Sequence, residues 1–140
     1  MSSIKVKKLS PDAIVPLRRS NCCAGYSIFT PKDVTIAPRS RQHLSLNTGI
    51  SITLPECTYG RLANCSEMFR KKYISVGEDI IDSEHTGEIC INLFNNSPVS
   101  CRIKKGDCIA QFIVERYETP TIEVEEYQAP AEPEAPTEPV

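Results

Sequence analysis

Ile89-Cys90-Ile91-Asn92-Leu93 places a large apolar side chain at every second position and a small or polar one between. A strand turns alternate residues to opposite faces, so this run reads as a half-buried β-strand. Ile50-Ser51-Ile52-Thr53-Leu54 has the same alternation upstream, and Val99-Ser100-Cys101-Arg102-Ile103 continues it downstream. Turn-forming clusters punctuate the chain at short intervals: Ala37-Pro38-Arg39-Ser40, Asn95-Asn96-Ser97-Pro98 and Lys104-Lys105-Gly106-Asp107. Many short strands with regular turn signals predict an all-β domain, as a sandwich, jelly roll or barrel. One short helix is expected over Ser66–Lys72, with Ser66 placed to cap it and Glu67 in its first turn.

The 140 residues suffice for one domain with a real core. The sequence has no apolar run of the ~18 residues that a membrane-spanning helix needs. Its N-terminus, Met1-Ser2-Ser3-Ile4-Lys5-Val6-Lys7-Lys8, lacks the apolar stretch of a secretory signal. An intracellular protein, cytoplasmic or nuclear, is therefore expected. Seven cysteines, an odd number with no Cys-x-x-Cys spacing, fit reduced thiols in such a compartment. Two isolated histidines and scattered cysteines do not make a zinc site. Cys90, Cys101 and Cys108 lie in strand-like runs and read as small core residues.

Charge is unevenly distributed. Residues 1–117 hold all 16 basic groups and 11 of the 18 acidic ones, a surplus of +5, whereas residues 118–140 carry −7. A mildly cationic body suits a phosphorylated small ligand. No basic-aromatic interleaving or recognition-helix pattern supports a nucleic-acid reader. The C-terminal stretch repeats proline every third residue, at Pro130, Pro133, Pro136 and Pro139, which would align on one ridge of a polyproline II helix. The sequence thus divides into a β domain over 1–126 and a Pro/Glu/Ala-rich tail over 127–140, expected to be disordered. The tail could engage a protein partner as a PxxP ligand or through its terminal Val140, although its acidic flanks suit the first poorly.

The densest chemistry lies in Gly77-Glu78-Asp79-Ile80-Ile81-Asp82-Ser83-Glu84-His85-Thr86-Gly87-Glu88, with five carboxylates and one of the two histidines. By composition alone this is a solvated hairpin tip or a site that holds water for a reaction. Three other segments stand around it. They are Ala24-Gly25-Tyr26-Ser27-Ile28-Phe29, then Tyr59-Gly60-Arg61-Leu62-Ala63-Asn64-Cys65-Ser66, and Lys105-Gly106-Asp107-Cys108-Ile109-Ala110-Gln111-Phe112. In this order and spacing the four segments resemble motifs one to four of the trimeric dUTPase (dUTP diphosphatase) family, over roughly residues 4–125.

The resemblance implies a jelly-roll-like β domain assembled as a homotrimer, with sites between subunits. It also implies hydrolysis of dUTP to dUMP and pyrophosphate, with magnesium carried on the triphosphate and held by no dedicated protein ligands. Asp82 matches the carboxylate that orients the attacking water. Ser66 and Gln111 match a hydroxyl and an amide that meet phosphate oxygens. Ile81, His85 and Gly87 fall on the hairpin that recognises the nucleoside.

Several motif positions depart from the family pattern. Ser27 stands for an Asp, Cys65 and Cys108 each for an Arg, Asp79 for a Gly, and His85 for a Tyr. No glycine follows Gly106, so the Gly-rich fifth motif that closes over the nucleotide is missing. Each lost charge-assisted contact costs about 1.5–3 kcal/mol. Summed as independent losses, they predict a catalytically impaired homologue, a pseudoenzyme retained for binding or regulation. A working dUTP diphosphatase is the alternative.

Overall fold

The computed structural model describes residues 3–39 and 41–131. Eleven strands and one helix follow in chain order: β1 (Lys5–Lys8), β2 (Tyr26–Phe29), β3 (Val34–Ile36), β4 (Leu44–Asn47), β5 (Ile50–Thr53), β6 (Thr58–Asn64), α1 (Ser66–Lys72), β7 (Ile74–Val76), β8 (Asp79–Ile81), β9 (Cys90–Asn95), β10 (Cys101–Ile103) and β11 (Cys108–Arg116). The strands form four small antiparallel sheets, ordered β1-β5, β10-β3, β2-β11-β6-β8 and β4-β9-β7. The all-β, jelly-roll-like expectation holds. Most partners are distant in sequence, so closing the ladders draws both halves of the chain around one core.

That core takes residues from every sheet: Ile50 and Ile52, Ile36 and Ile103, Leu62 and Phe112, Leu46 and Leu93. The alternation read from the sequence appears directly in β9, where Ile91 and Leu93 are fully buried while Cys90 and Asn92 face outward. Two expectations need correction. Val99 lies before β10 and is 67% exposed, because the neighbouring turn delays the strand to Cys101. Cys90 is exposed and Cys101 and Cys108 are only half-buried; among the seven cysteines the buried one is Cys65.

Asn95 ends β9 with no exposed surface and serves the turn from inside. Its side-chain amide donates to the carbonyls of Ile36 (3.0 Å) and Val99 (2.7 Å), and its oxygen accepts from Ser97 N–H (3.0 Å). A buried amide so fully engaged costs little to desolvate and fixes where the chain turns.

The corner Asn47–Ile50 hands the chain from the β4 sheet to the β5 sheet. Gly49 sits there at φ +77°, and a Cβ on it would approach Ala13 Cβ and Ser10 Oγ at 3.0 Å. Both the left-handed backbone and the crowding favour glycine. Gly49→Ala is expected to destabilise the fold by about 1–3 kcal/mol, read from the urea unfolding midpoint.

Beyond β11 the described chain, through residue 131, has no regular secondary structure. Its apolar side chains Ile122, Val124 and Tyr127 are 87%, 90% and 84% exposed. Residues 132–140, which carry most of the proline ridge and Val140, lie outside the described residues. No helix among the described residues is long and apolar enough to cross a membrane.

Candidate functional site

The acidic segment is built on the end of β8. Ile81 is buried and pairs with Gly60 of β6, which anchors the strand and leaves Asp82 as the first exposed residue beyond it. His85 N–H returns to the Asp82 carbonyl (3.0 Å), closing a tight turn. Asp82, Ser83, Glu84 and His85, with Ile80 and Tyr117, line an open cleft of about 350 Å3. Gly87 stands beside His85, where an added Cβ would make only ordinary contacts of 3.7–3.9 Å with the ring. The five carboxylates do not act as one cluster. Glu88 turns back and accepts the Gly49 N–H (2.7 Å), while Thr48 Oγ1 donates to the Ile89 carbonyl (2.6 Å). The hairpin is therefore tied at its base to the β4–β5 corner, and Asp82 projects from a fixed strand end.

Tyr117, which the sequence reading passed over, forms one wall of this cleft. Its ring packs on Tyr59 with centroids 5.9 Å apart. The Tyr59 hydroxyl donates to Glu115, and Arg61 pairs with the same carboxylate (3.1 Å). Donation from Tyr59, then the Arg61 guanidinium, holds the Glu115 carboxyl below its ordinary range, and the same bond pushes the Tyr59 phenol up. A carboxyl depressed by folding stabilises above its unfolded titration, and that stability disappears as pH falls through the folded value. A phenol raised by folding stabilises below its unfolded titration, and that gain is lost as pH rises through the folded value. Glu115→Gln should thus lower the unfolding midpoint relative to the parent at about pH 7 and converge with it towards about pH 3.

The other candidates sit at the far end of the same sheet. Gln111 pairs across β11–β6 with Ala63, and its side-chain amide donates to the Asn64 carbonyl (3.0 Å). Cys65, not Ser66, is the N-cap of α1, and no side-chain hydrogen bond caps the helix. Ser66 instead heads the helix as its first residue, exposed. Beside it, Cys65, Glu67, Met68, Lys71, Lys72, Asp107 and Cys108 line a second cleft of about 220 Å3. Lys71 pairs with Glu67 (2.8 Å), and Lys72 Nζ donates to the Arg102 carbonyl (3.3 Å). The basic last turn of α1 thus borders the cleft beside Ser66.

Asp82 lies level with Tyr59, whereas Ser66 follows Asn64. At the rise of a strand these positions are about 20 Å apart along β6. One chain brings Asp82 and His85 together, and separately Ser66 and Gln111. It does not bring the two pairs together.

A dUTPase family model matches residues 11–137 of the chain. The chain is 43% identical over 124 residues to the deoxyuridine 5'-triphosphate nucleotidohydrolase of Paramecium bursaria Chlorella virus 1, covering 89% of this chain and 86% of that one. The enzymes of the same name from Oryza sativa and avian adenovirus 8 are each 39% identical, over 90% and 84% of this chain and 73% and 71% of theirs. The chain belongs to the dUTPase family. Among solved structures, the dUTPase of Staphylococcus bacteriophage 80alpha with dUPNHPP superposes with a TM-score of 0.82 at 25% identity, covering 92% of each chain.

These relatives overturn the expectation of an impaired, purely binding dUTPase homologue. Identity near 40% to several named nucleotidohydrolases, over most of the chain, favours the working enzyme. The physical error lay in counting substitutions one by one. Ser27 is buried on β2, opposite Gln111 of β11, and Cys65 and Cys108 line one cleft at the same end of the sheet. The positions where the dUTPase pattern has one acid and two arginines are therefore neighbours. No buried side-chain nitrogen or oxygen among the described residues is without a partner. The three substitutions share one neighbourhood, so their separate penalties do not add as independent losses.

Proposed function

We propose that the chain is a dUTP diphosphatase, hydrolysing dUTP to dUMP and pyrophosphate. The observation that carries this is Asp82, held at the rigid end of β8 on the rim of an open cleft, in a chain otherwise built as a dUTPase. The carboxylate takes a proton from water as the water oxygen bonds to the α-phosphorus. The bond from that phosphorus to the bridging oxygen breaks, and pyrophosphate leaves with the electron pair. Ser66 and the Gln111 amide would meet phosphate oxygens, with Lys71 and Lys72 supplying positive charge beside them. Ile81, His85 and Gly87 would shape the nucleoside end.

Magnesium enters as part of the substrate complex. Among the described residues no three His, Cys, Asp or Glu side chains gather as a protein-built metal cage would require. That donor set suits an ion carried largely by phosphate oxygens and water.

The 20 Å between the two half-sites supports a homotrimer in which Asp82 of one copy meets Ser66 and Gln111 of another. The bare Ile122, Val124 and Tyr127 on the C-terminal segment favour burial against a neighbour. Seven thiols free of disulfides suit an intracellular, reducing compartment.

The test is pyrophosphate release from dUTP with magnesium, against dCTP, dTTP and UTP. Turnover of dUTP well above the others is expected, and no turnover of any of the four would refute the reading.

A further inference from the structure

The Cys65–Cys108 pair is not used by the proposed hydrolysis, and its placement is specific. Ala110 of β11 registers with Asn64 of β6, so Cys65 and Cys108 stand at adjoining ends of two hydrogen-bonded strands, within a residue of direct opposition. Both side chains line the same 220 Å3 cleft, which is open to a small solute although Cys65 itself is 7% exposed. The Cys108 thiol donates to the Ala110 carbonyl at 3.5 Å. The shared cleft puts both side chains on one side of these neighbouring strand ends, the arrangement a disulfide requires. Donation from Cys108 stabilises a Cys65 thiolate, pulling that thiol down to about 6, while Cys108 is driven up by the same contact. One member is thus poised as a nucleophile and the other keeps its proton until needed.

We propose that Cys65 and Cys108 are an oxidation-sensitive thiol pair that closes to a disulfide across the β6–β11 end of the sheet. With hydrogen peroxide as oxidant, the Cys65 thiolate attacks one peroxide oxygen. The O–O bond breaks, Cys65 becomes a sulfenic acid, and the hydroxide released takes up a proton as water. The Cys108 sulfur then attacks the Cys65 sulfur. The S–O bond breaks, and the Cys108 proton leaves with the hydroxyl as a second water. Two thiols lose two electrons and one peroxide gains them. The bond would clamp the strand-to-helix turn that carries Ser66 onto the start of β11. The pair's oxidation is independent of whether the chain hydrolyses dUTP.

The test uses the full chain treated with one equivalent of peroxide, alkylated without reduction and digested with trypsin. The segments 62–70 and 106–116 each carry a single cysteine, Cys65 and Cys108. A linked pair of these two peptides, lost on reduction, should be the predominant disulfide. Cys108→Ser, which leaves the helix cap intact, should abolish the link and leave Cys65 as a sulfenic acid that dimedone traps. The proposal is overturned if both cysteines remain alkylated while the exposed Cys22, Cys57 and Cys90 oxidise. It is equally overturned if either one is joined mainly to another cysteine.

Discussion

Asp82→Asn is expected to lower dUTP turnover by about 10²–10⁴-fold while leaving the fold and nucleotide binding in place. Asp82 is exposed beyond β8, and its described contact within the chain is through its backbone carbonyl, which accepts the His85 N–H. An amide of the same shape keeps that turn and the 350 Å3 cleft, but it cannot take a proton from water. The loss should therefore appear in kcat, with binding of a non-hydrolysable dUTP analogue changed far less. Pyrophosphate release and calorimetry on the same preparations separate the two effects. Unchanged turnover would remove Asp82 from the chemistry, and an equal loss of binding would recast it as a substrate contact.

Gly60→Ala is expected to give the largest loss of stability, about 3 kcal/mol or more. Gly60 lies mid-strand in β6, between Val114 of β11 and Ile81 of β8. A Cβ built there falls 2.1 Å from Cζ and 2.4 Å from Cε2 of Phe112. Phe112 is 1% exposed and wedged in the shared core, so its ring cannot swing aside without disturbing its neighbours. Pairing Gly60→Ala with Phe112→Leu should recover part of the loss, because the smaller side chain vacates the contested space. Urea unfolding of the two single variants and the double variant measures the coupling. Purely additive losses would disprove the steric account. The same strand seats Ile81 opposite Gly60, so a disturbed β6 should also misplace Asp82.

Much of the fold was legible in the sequence because its strands are buried on one face only. Ile89, Ile91 and Leu93 alternate with outward residues, and the structure seals all three inside. The helix ran over the expected residues because Cys65-Ser66-Glu67 leads into an apolar Met68 with basic groups behind it. Cysteine is harder to place. Its modest hydrophobicity suits either face of a strand, so Cys90 was misplaced inward while Cys65 was not singled out as buried. Asn95 shows how composition misleads: an Asn-Asn-Ser-Pro cluster reads as solvated, yet its first residue is fully buried and organises the turn.

The sequence names candidate site residues one by one but not their arrangement. Asp82 and His85 are near in sequence and meet in space. The grouping of Ser27, Cys65 and Cys108 is set by the register of β2, β11 and β6, which no local pattern encodes. Read singly, those three residues signalled decay. Together they adjoin at one end of the sheet, where Cys65 and Cys108 line one cleft.

The length of β6 has a genetic consequence. Its seven residues set Asp82, level with one end, apart from Gln111 and Ser66 at the other, the two halves of the proposed site. In the proposed trimer, every site then borrows one end of the sheet from each of two copies. Coexpressed Asp82→Asn and Gln111→Ala chains, each inactive alone, should complement one another, with roughly one site in four joining two intact halves under random assembly. Conversely, a copy faulty in one half disables only the one site to which it lends that half, so activity falls in simple proportion to the faulty copies.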